Sequence, residues 1–256
     1  MAHAKRHYLP GHVWHITHRC HKREFLLKFS RDRRRWIEWL YQARKRYPGL
    51  SVLDYMVTSN HIHLLVFDTG GRNIIPDSIK LIAGRTGQEY NVRKSRKGAF
   101  WEDRYHATAV ESSRYLRQCI AYIDMNMVRT GAVKHPSEWE FCGYNEIQSP
   151  RKRKGIIDFD RLIKLLGFEN FADLKEAHFK WVESKLQAGS DETESKWAQS
   201  IAVGSKSFIQ KIKEALGFRA KGRKILSTDD TFELREGQVP YGAADELDSG
   251  NTLPWN

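Results

Sequence analysis

Two histidines one residue apart, His61 and His63, sit inside an apolar run that begins Val52-Leu53-Asp54-Tyr55-Met56-Val57 and resumes as Leu64-Leu65-Val66-Phe67. In an extended strand side chains alternate faces, so both imidazoles point one way while Ile62 and Leu64 point the other. Their Cα atoms are then about 7 Å apart, close enough for the two rings to grip one divalent ion. The plainer alternative is one histidine hydrogen-bonded in the core and the other meeting solvent, and spacing alone leaves both open. A metal held by two imidazoles needs a further ligand, and a reaction needs a nucleophile. Tyr122-Ile123-Asp124-Met125-Asn126-Met127-Val128-Arg129 offers both. On a helix, Tyr122 and Asn126 lie one turn apart on a single face, and Arg129 at i+7 is on the phenol's side. Tyr122 by itself could equally be a half-buried aromatic with its hydroxyl at the rim. Tyr115, seven residues earlier on nearly the same face, is a rival, but its i+4 neighbour is Cys119 where Tyr122 has Asn126.

The elements needed to position these groups are legible in outline. Pro10-Gly11 opens a strand over about 12–20. Ser30 caps a helix to about Tyr47, with Trp36, Ile37, Leu40 and Tyr41 as its apolar stripe, stopped by Pro48-Gly49. A strand follows from Leu50 to Met56, leading into the histidine strand. After Gly70-Gly71, Asp77 or Ser78 starts a helix to about Val92. A strand over about 99–110 precedes a third helix, capped by Ser112-Ser113 and running to about Val128. The order β, α, β-β, α, β, α predicts an α+β fold with long helices over a small, largely antiparallel sheet. Further helices are expected at about 159–166, 171–186, 191–201 and 205–216, forming a small helical appendage. From Asp229 onward the chain turns acidic and rich in Gly and Pro, and it is expected to be disordered or an extended arm.

Composition narrows the partners. The chain has 256 residues and a formal net charge of +12, a surplus that points to a polyanion and to nucleic acid before anionic lipid. The charge is clustered at Arg31, Arg33, Arg34 and Arg35, at Arg93, Lys94, Arg96 and Lys97, and at Arg151-Lys152-Arg153-Lys154. No apolar run approaches the roughly 20 residues that span a bilayer, and the first residues lack a secretory core. Cys20, Cys119 and Cys142 form no CxxC pair, which argues against a disulfide framework or a zinc knuckle and fits a cytoplasmic protein.

Four segments together resemble the single-tyrosine HUH transposases, and within them the REP-associated tyrosine transposases. They are Arg6-His7-Tyr8-Leu9-Pro10-Gly11 with His15-Ile16-Thr17, Thr58-Ser59-Asn60-His61-Ile62-His63-Leu64-Leu65-Val66, Phe100-Trp101-Glu102-Asp103-Arg104-Tyr105-His106, and Tyr122 through Gly131. They occur in the family's order, across about residues 5–148. Many relatives read Met-Pro where this chain has Thr58-Ser59, and many have Pro where it has Met127; neither change replaces a group that does chemistry.

The resemblance implies a ferredoxin-like antiparallel sheet with helices packed on it over 1–150, a small helical C-terminal extension over 155–226, and a disordered or extended tail over 227–256. It implies that Tyr122 cleaves single-stranded DNA, often at a hairpin with a tetranucleotide guide beside it, leaving a 5′-phosphotyrosine link and a free 3′-hydroxyl that permits rejoining. His61, His63 and Asn126 would hold a divalent metal, Mg²⁺ or Mn²⁺. Arg104, Arg129, Arg93, Lys94, Arg96 and Lys97 would contact DNA, with bases stacked on aromatics such as Trp36 or Trp101 if these face the groove. Relatives act as monomers or as homodimers. Two rival readings stand beside this one. A catalytically silent nucleic-acid-binding protein would bind without a covalent adduct. A metallohydrolase with a water nucleophile would need a general-base carboxylate beside the histidines; Asp124 is close to Tyr122 in sequence but two positions off its face.

Overall fold

In a computed structural model, residues 9–69, 73–112, 114–189, 195–228 and 230–236 are described. Three strands, β1 (Val13–Arg19), β2 (Leu50–Val57) and β3 (His61–Asp68), pair antiparallel with β1 and β2 flanking β3. A fourth, β4 (His106–Val110), pairs antiparallel with the free side of β1. Opposed residues in an antiparallel ladder share a face. The register Thr17↔His63, His15↔Leu65, His15↔Thr108 and Thr17↔His106 therefore gathers His15, Thr17, His63, His106 and Thr108 on one face. Ile16, Ile62 and Leu64 are fully buried on the other. The alternation read from sequence is thus realised, with both faces covered.

Helices α1 (Ser30–Arg46) and α2 (Ile74–Arg93) pack side by side. The Trp101 indole joins α2 to the sheet face opposite His63: its Nε1 donates to the Ala83 carbonyl at 3.0 Å and its ring stacks on His18 at 4.2 Å. Helix α1 begins at Ser30, as the spacing predicts, but its N-cap residue is Phe29 and no side chain caps it. Burial of Trp36, Ile37 and Leu40 contributes roughly 2 kcal/mol each, more than the ~1 kcal/mol of a missing cap. Trp36 is therefore core and cannot stack on bases.

The third helix lies over the His63 face and differs from the single element expected. It is divided into α3 (Arg114–Asp124) and α4 (Asn126–Arg129) at Met125, where the Tyr122 carbonyl accepts from Arg129 Nη2 at 2.9 Å. The strand expected over 99–110 begins only at His106. The exposed run Glu102-Asp103-Arg104 has no apolar face to bury, and only an isolated bridge, Cys20↔Trp101, remains there.

Helices α5 (Gly143–Gln148), α6 (Phe159–Leu166) and α7 (Phe171–Ala188) follow. The side chains of Asp158 and Asn170 cap α6 and α7, and Gly167 in the left-handed region ends α6. Beyond them the expectation of a purely helical appendage is corrected. The helix expected over 191–201 is the short α8 (Lys196–Gln199), followed by β5 (Ala202–Gly204), α9 (Lys206–Leu216), and a hairpin of β6 (Lys224–Thr228) and β7 (Thr231–Arg235). Strand β5 pairs parallel to β4, so among the described residues the sheet has seven strands in the order β2-β3-β1-β4-β5-β7-β6. A three-residue strand carries too few residues for alternation to show. What recruits it is the free edge of β4, whose Ala109 and Glu111 amides donate to the Ile201 and Val203 carbonyls. The tail expected from Asp229 onward thus contains β7; residue 229 and residues 237–256 lie outside the described residues. Among the described residues no helix is long and apolar enough to cross a membrane.

Candidate functional site

Strand β3 presents His61 and His63 on one face, with ring centroids 5.0 Å apart. Helix α3 crosses that face and sets the Tyr122 ring 5.8 Å from His63. One turn on, Asn126 Nδ2 donates to His63 Nε2 at 3.1 Å. The histidine pair and the tyrosine–asparagine pair, read separately from sequence, therefore meet in one pocket of about 680 Å³ within a single chain. Arg129 and Arg104 also line it. The Arg129 guanidinium lies over the Tyr122 ring at 4.3 Å while bonded to the Tyr122 carbonyl.

The remaining expected DNA contacts lie elsewhere. Arg93 pairs with Asp32, Arg96 donates to the Ala99 carbonyl, Lys94 lies 5.4 Å over the Phe29 ring, and Lys97 is exposed beyond the end of α2. Tyr115 is not a pocket residue, since its hydroxyl is bound to the Asp230 carbonyl at 2.7 Å. Asp124 faces away as well. It is fully buried against His178 Nε2 at 2.7 Å, and Gln148 Nε2 donates to His178 Nδ1. The carboxylates that do line the pocket, Glu102 and Asp103, belong to the exposed run before β4.

Electrostatics keep the two imidazoles uncharged. Burial, then the nearby Arg19 guanidinium, pushes His61 down to about 4. Burial, then His61, His15 and Arg129, pushes His63 well below the usual histidine range. The outer partners of His61 settle which of its nitrogens carries the proton. Asn60 Nδ2 donates to the Arg23 carbonyl at 3.2 Å, which orients the amide. Asn60 Oδ1 must then accept from His61 Nδ1, 2.8 Å away, leaving the His61 Nε2 lone pair unprotonated. Among the described residues, Asn126 Oδ1 is buried with no hydrogen-bond partner. A buried amide oxygen without a donor, beside neutral imidazoles, is a donor set that suits a divalent cation of borderline hardness.

Residues 9–126 match the family model for IS200-like transposases. Among solved structures, a REP-associated tyrosine transposase bound to a REP hairpin is similar at 19% identity, with a TM-score of 0.49, over 62% of this chain and 95% of that one. A protein of Deinococcus radiodurans R1 described as a transposase is similar at 18% identity, with a TM-score of 0.34, over 44% of this chain and 88% of that one. No curated protein matches the chain.

Around the pocket lie further residues that motif reading left without a role. His15 is fully buried on β1 with Nε2 2.9 Å from His63 Nδ1, and its other nitrogen donates to the Trp197 carbonyl at 2.8 Å. Its position was visible, since His15 and Thr17 share parity on a strand, but its partner is 182 residues away. Ser195, Ala198 and Gln199 also line the pocket, and no pattern in that stretch signals it.

Proposed function

We propose that this protein is a single-tyrosine transposase of the REP-associated type, which cleaves and rejoins single-stranded DNA at hairpin-bearing sites. The observation that carries the reading is the convergence of His61, His63, Tyr122 and Asn126 on one pocket beside Arg129. The Tyr122 oxygen attacks the scissile phosphorus in line; the new O–P bond replaces the bond to the 3′ oxygen, which takes up a proton. The 5′-phosphotyrosine keeps the bond energy, so a 3′-hydroxyl of another strand can reverse the step. Arg129 places positive charge beside the phenol and the bound phosphate, and Arg104 at the pocket wall adds to it. His61, His63 and the Asn126 amide oxygen would hold Mg²⁺ or Mn²⁺, which when bound draws charge from the phosphate and orients it. All four groups come from one chain, which supports a site complete in cis and a monomer as the active unit. The reading places the protein in the cytoplasm, with chromosomal DNA as its substrate.

The test is to map the adduct. Incubation with labelled hairpin oligonucleotides and Mn²⁺, followed by trypsin, should leave a nucleotide remnant on the 118–129 peptide. A remnant on the 115–117 peptide would move the nucleophile to Tyr115. No remnant on any peptide, with binding intact, would leave the silent binding protein.

Base stacking is reassigned from tryptophan to phenylalanine. Phe25 and Phe29 are 65% and 55% exposed, and their loop abuts the site through Leu27 N to Ser59 O and Asn60 Nδ2 to Arg23 O. Lys94 adds charge over Phe29. Stacking on an aromatic contributes about 1–3 kcal/mol per base. The Phe25→Ala, Phe29→Ala double variant should therefore bind single-stranded oligonucleotides at least about tenfold more weakly by fluorescence anisotropy, with unchanged thermal stability. Equal affinity would remove the loop from the DNA path.

A further inference from the structure

We infer that the backbone carbonyl of Trp197, supplied by the C-terminal segment and acting through His15, holds His63 in the one tautomer that turns an unprotonated Nε2 into the pocket. The inference rests on the reading of His63 as a metal ligand, but its core concerns the protein's own hydrogen bonds.

A carbonyl can only accept, so at 2.8 Å from the Trp197 oxygen His15 Nδ1 must carry the proton. A neutral imidazole that donates from one nitrogen must accept at the other. His15 Nε2 is therefore the acceptor in its 2.9 Å contact, and His63 Nδ1 is the donor. One proton remains to His63, so its Nε2 is a lone pair, the form in which it accepts from Asn126 and in which it could bind a cation. The two rings lie 4° from parallel with centroids 5.1 Å apart, as an edge-to-edge hydrogen bond in the ring planes requires, and both are buried, so the hydrogen-bond chain cannot easily reverse by ring rotation.

The anchor is itself placed by tertiary contacts. Helix α8 is a single turn, and the amide that would continue it onto the Trp197 carbonyl, Ile201 N, donates to the Leu234 carbonyl of β7 at 2.7 Å. The Trp197 carbonyl is left for His15 at 2.8 Å, with Thr108 Oγ1 at 3.3 Å. Ser200 Oγ donates to Glu233 Oε2 at 2.6 Å, and Thr108 Oγ1 to the Ser200 carbonyl at 2.6 Å, fixing α8 between β4 and β7. The added strands thus serve the site: they deliver one oxygen atom to the far side of a pocket histidine. Asn60 does the same for His61, so each imidazole has its own outer partner.

Histidine ring proton–nitrogen correlation spectra of the metal-free protein test this directly. The expected result is Nδ1–H with unprotonated Nε2 for both His15 and His63, and loss of that single state for His63 in His15→Phe. His63 protonated at Nε2 in the wild type, or unchanged in His15→Phe, would overturn the inference. Mn²⁺ titration followed by electron paramagnetic resonance supplies the second readout. His15→Phe should weaken binding by roughly 10–100-fold. His15→Gln, whose amide can accept from His63 and donate to Trp197, should restore most of it. Equal loss in both variants would reduce His15 to packing. The expected tautomers without any Mn²⁺ binding would keep the hydrogen-bond lock and remove the metal reading instead.

Discussion

Tyr122→Phe is expected to abolish the covalent protein–DNA adduct and to lower strand cleavage by about 10³-fold or more, while oligonucleotide affinity stays within about twofold. The substitution removes one oxygen and leaves the ring, so the contacts that seat it survive: Arg129 at 4.3 Å, His63 at 5.8 Å and Trp197 at 6.2 Å. Phosphoryl transfer asks the protein for little beyond a positioned nucleophile and nearby positive charge. With the nucleophile gone, the positive charge of Arg129 has nothing to assist. Denaturing gels with 5′- and 3′-labelled hairpin substrates read the result. Retained cleavage would transfer the reaction to water, with Glu102 or Asp103 at the pocket wall as the base. Arg129→Ala is a poorer probe, because it would also release the Tyr122 carbonyl that marks the break between α3 and α4.

Divalent-metal binding is expected to hold nearly constant from pH 8 down to about pH 5 and to be lost in His63→Ala. Two unperturbed histidines would each be mostly protonated at pH 5, and each would lower the affinity by roughly 30-fold there. Here burial disfavours the charged rings, with His61 pushed down to about 4 and His63 further in the same direction. A lowered value means the lone pairs remain available as pH falls through the normal histidine range and are protonated only near or below pH 4. Mn²⁺ titrations at pH 8, 6.5 and 5 check this, with His63→Ala as the zero. An affinity falling below pH 6.5 by about tenfold per pH unit for one histidine, or about a hundredfold for both, would show that the pocket is wetter than its geometry implies.

Much of the site was written locally. Strand parity alone puts His61 and His63 on one face, because the alternation of a strand does not depend on what packs against it. Helical periodicity alone puts Tyr122 one turn from Asn126, and the small shift at Met125 does not separate them. The surplus of Lys and Arg named a polyanionic partner class, since charge is additive along a chain. The first three segments of the sheet and the helices α6, α7 and α9 were legible from the same periodicities; that Asp158, Asn170 and Ser205 cap those helices is seen only in the structure.

Other features depended on which surfaces met. Trp36 and Trp101 look alike as candidate stacking residues in sequence; packing put the first in the core and the second against His18 and α2. Asp124 and Tyr115, both near Tyr122 in the chain, were turned away by His178 and by the Asp230 carbonyl. Strand β5 exists because β4 had an unpaired edge, which three residues of local sequence cannot announce. The link from Trp197 through His15 to His63 is the clearest case. Hydrogen bonds specify a direction between atoms wherever the fold brings them, and these atoms are separated by 182 and then 48 positions. Local periodicity determined which way the candidate site's side chains point; only the tertiary structure decided which of them meet and which nitrogen holds the proton.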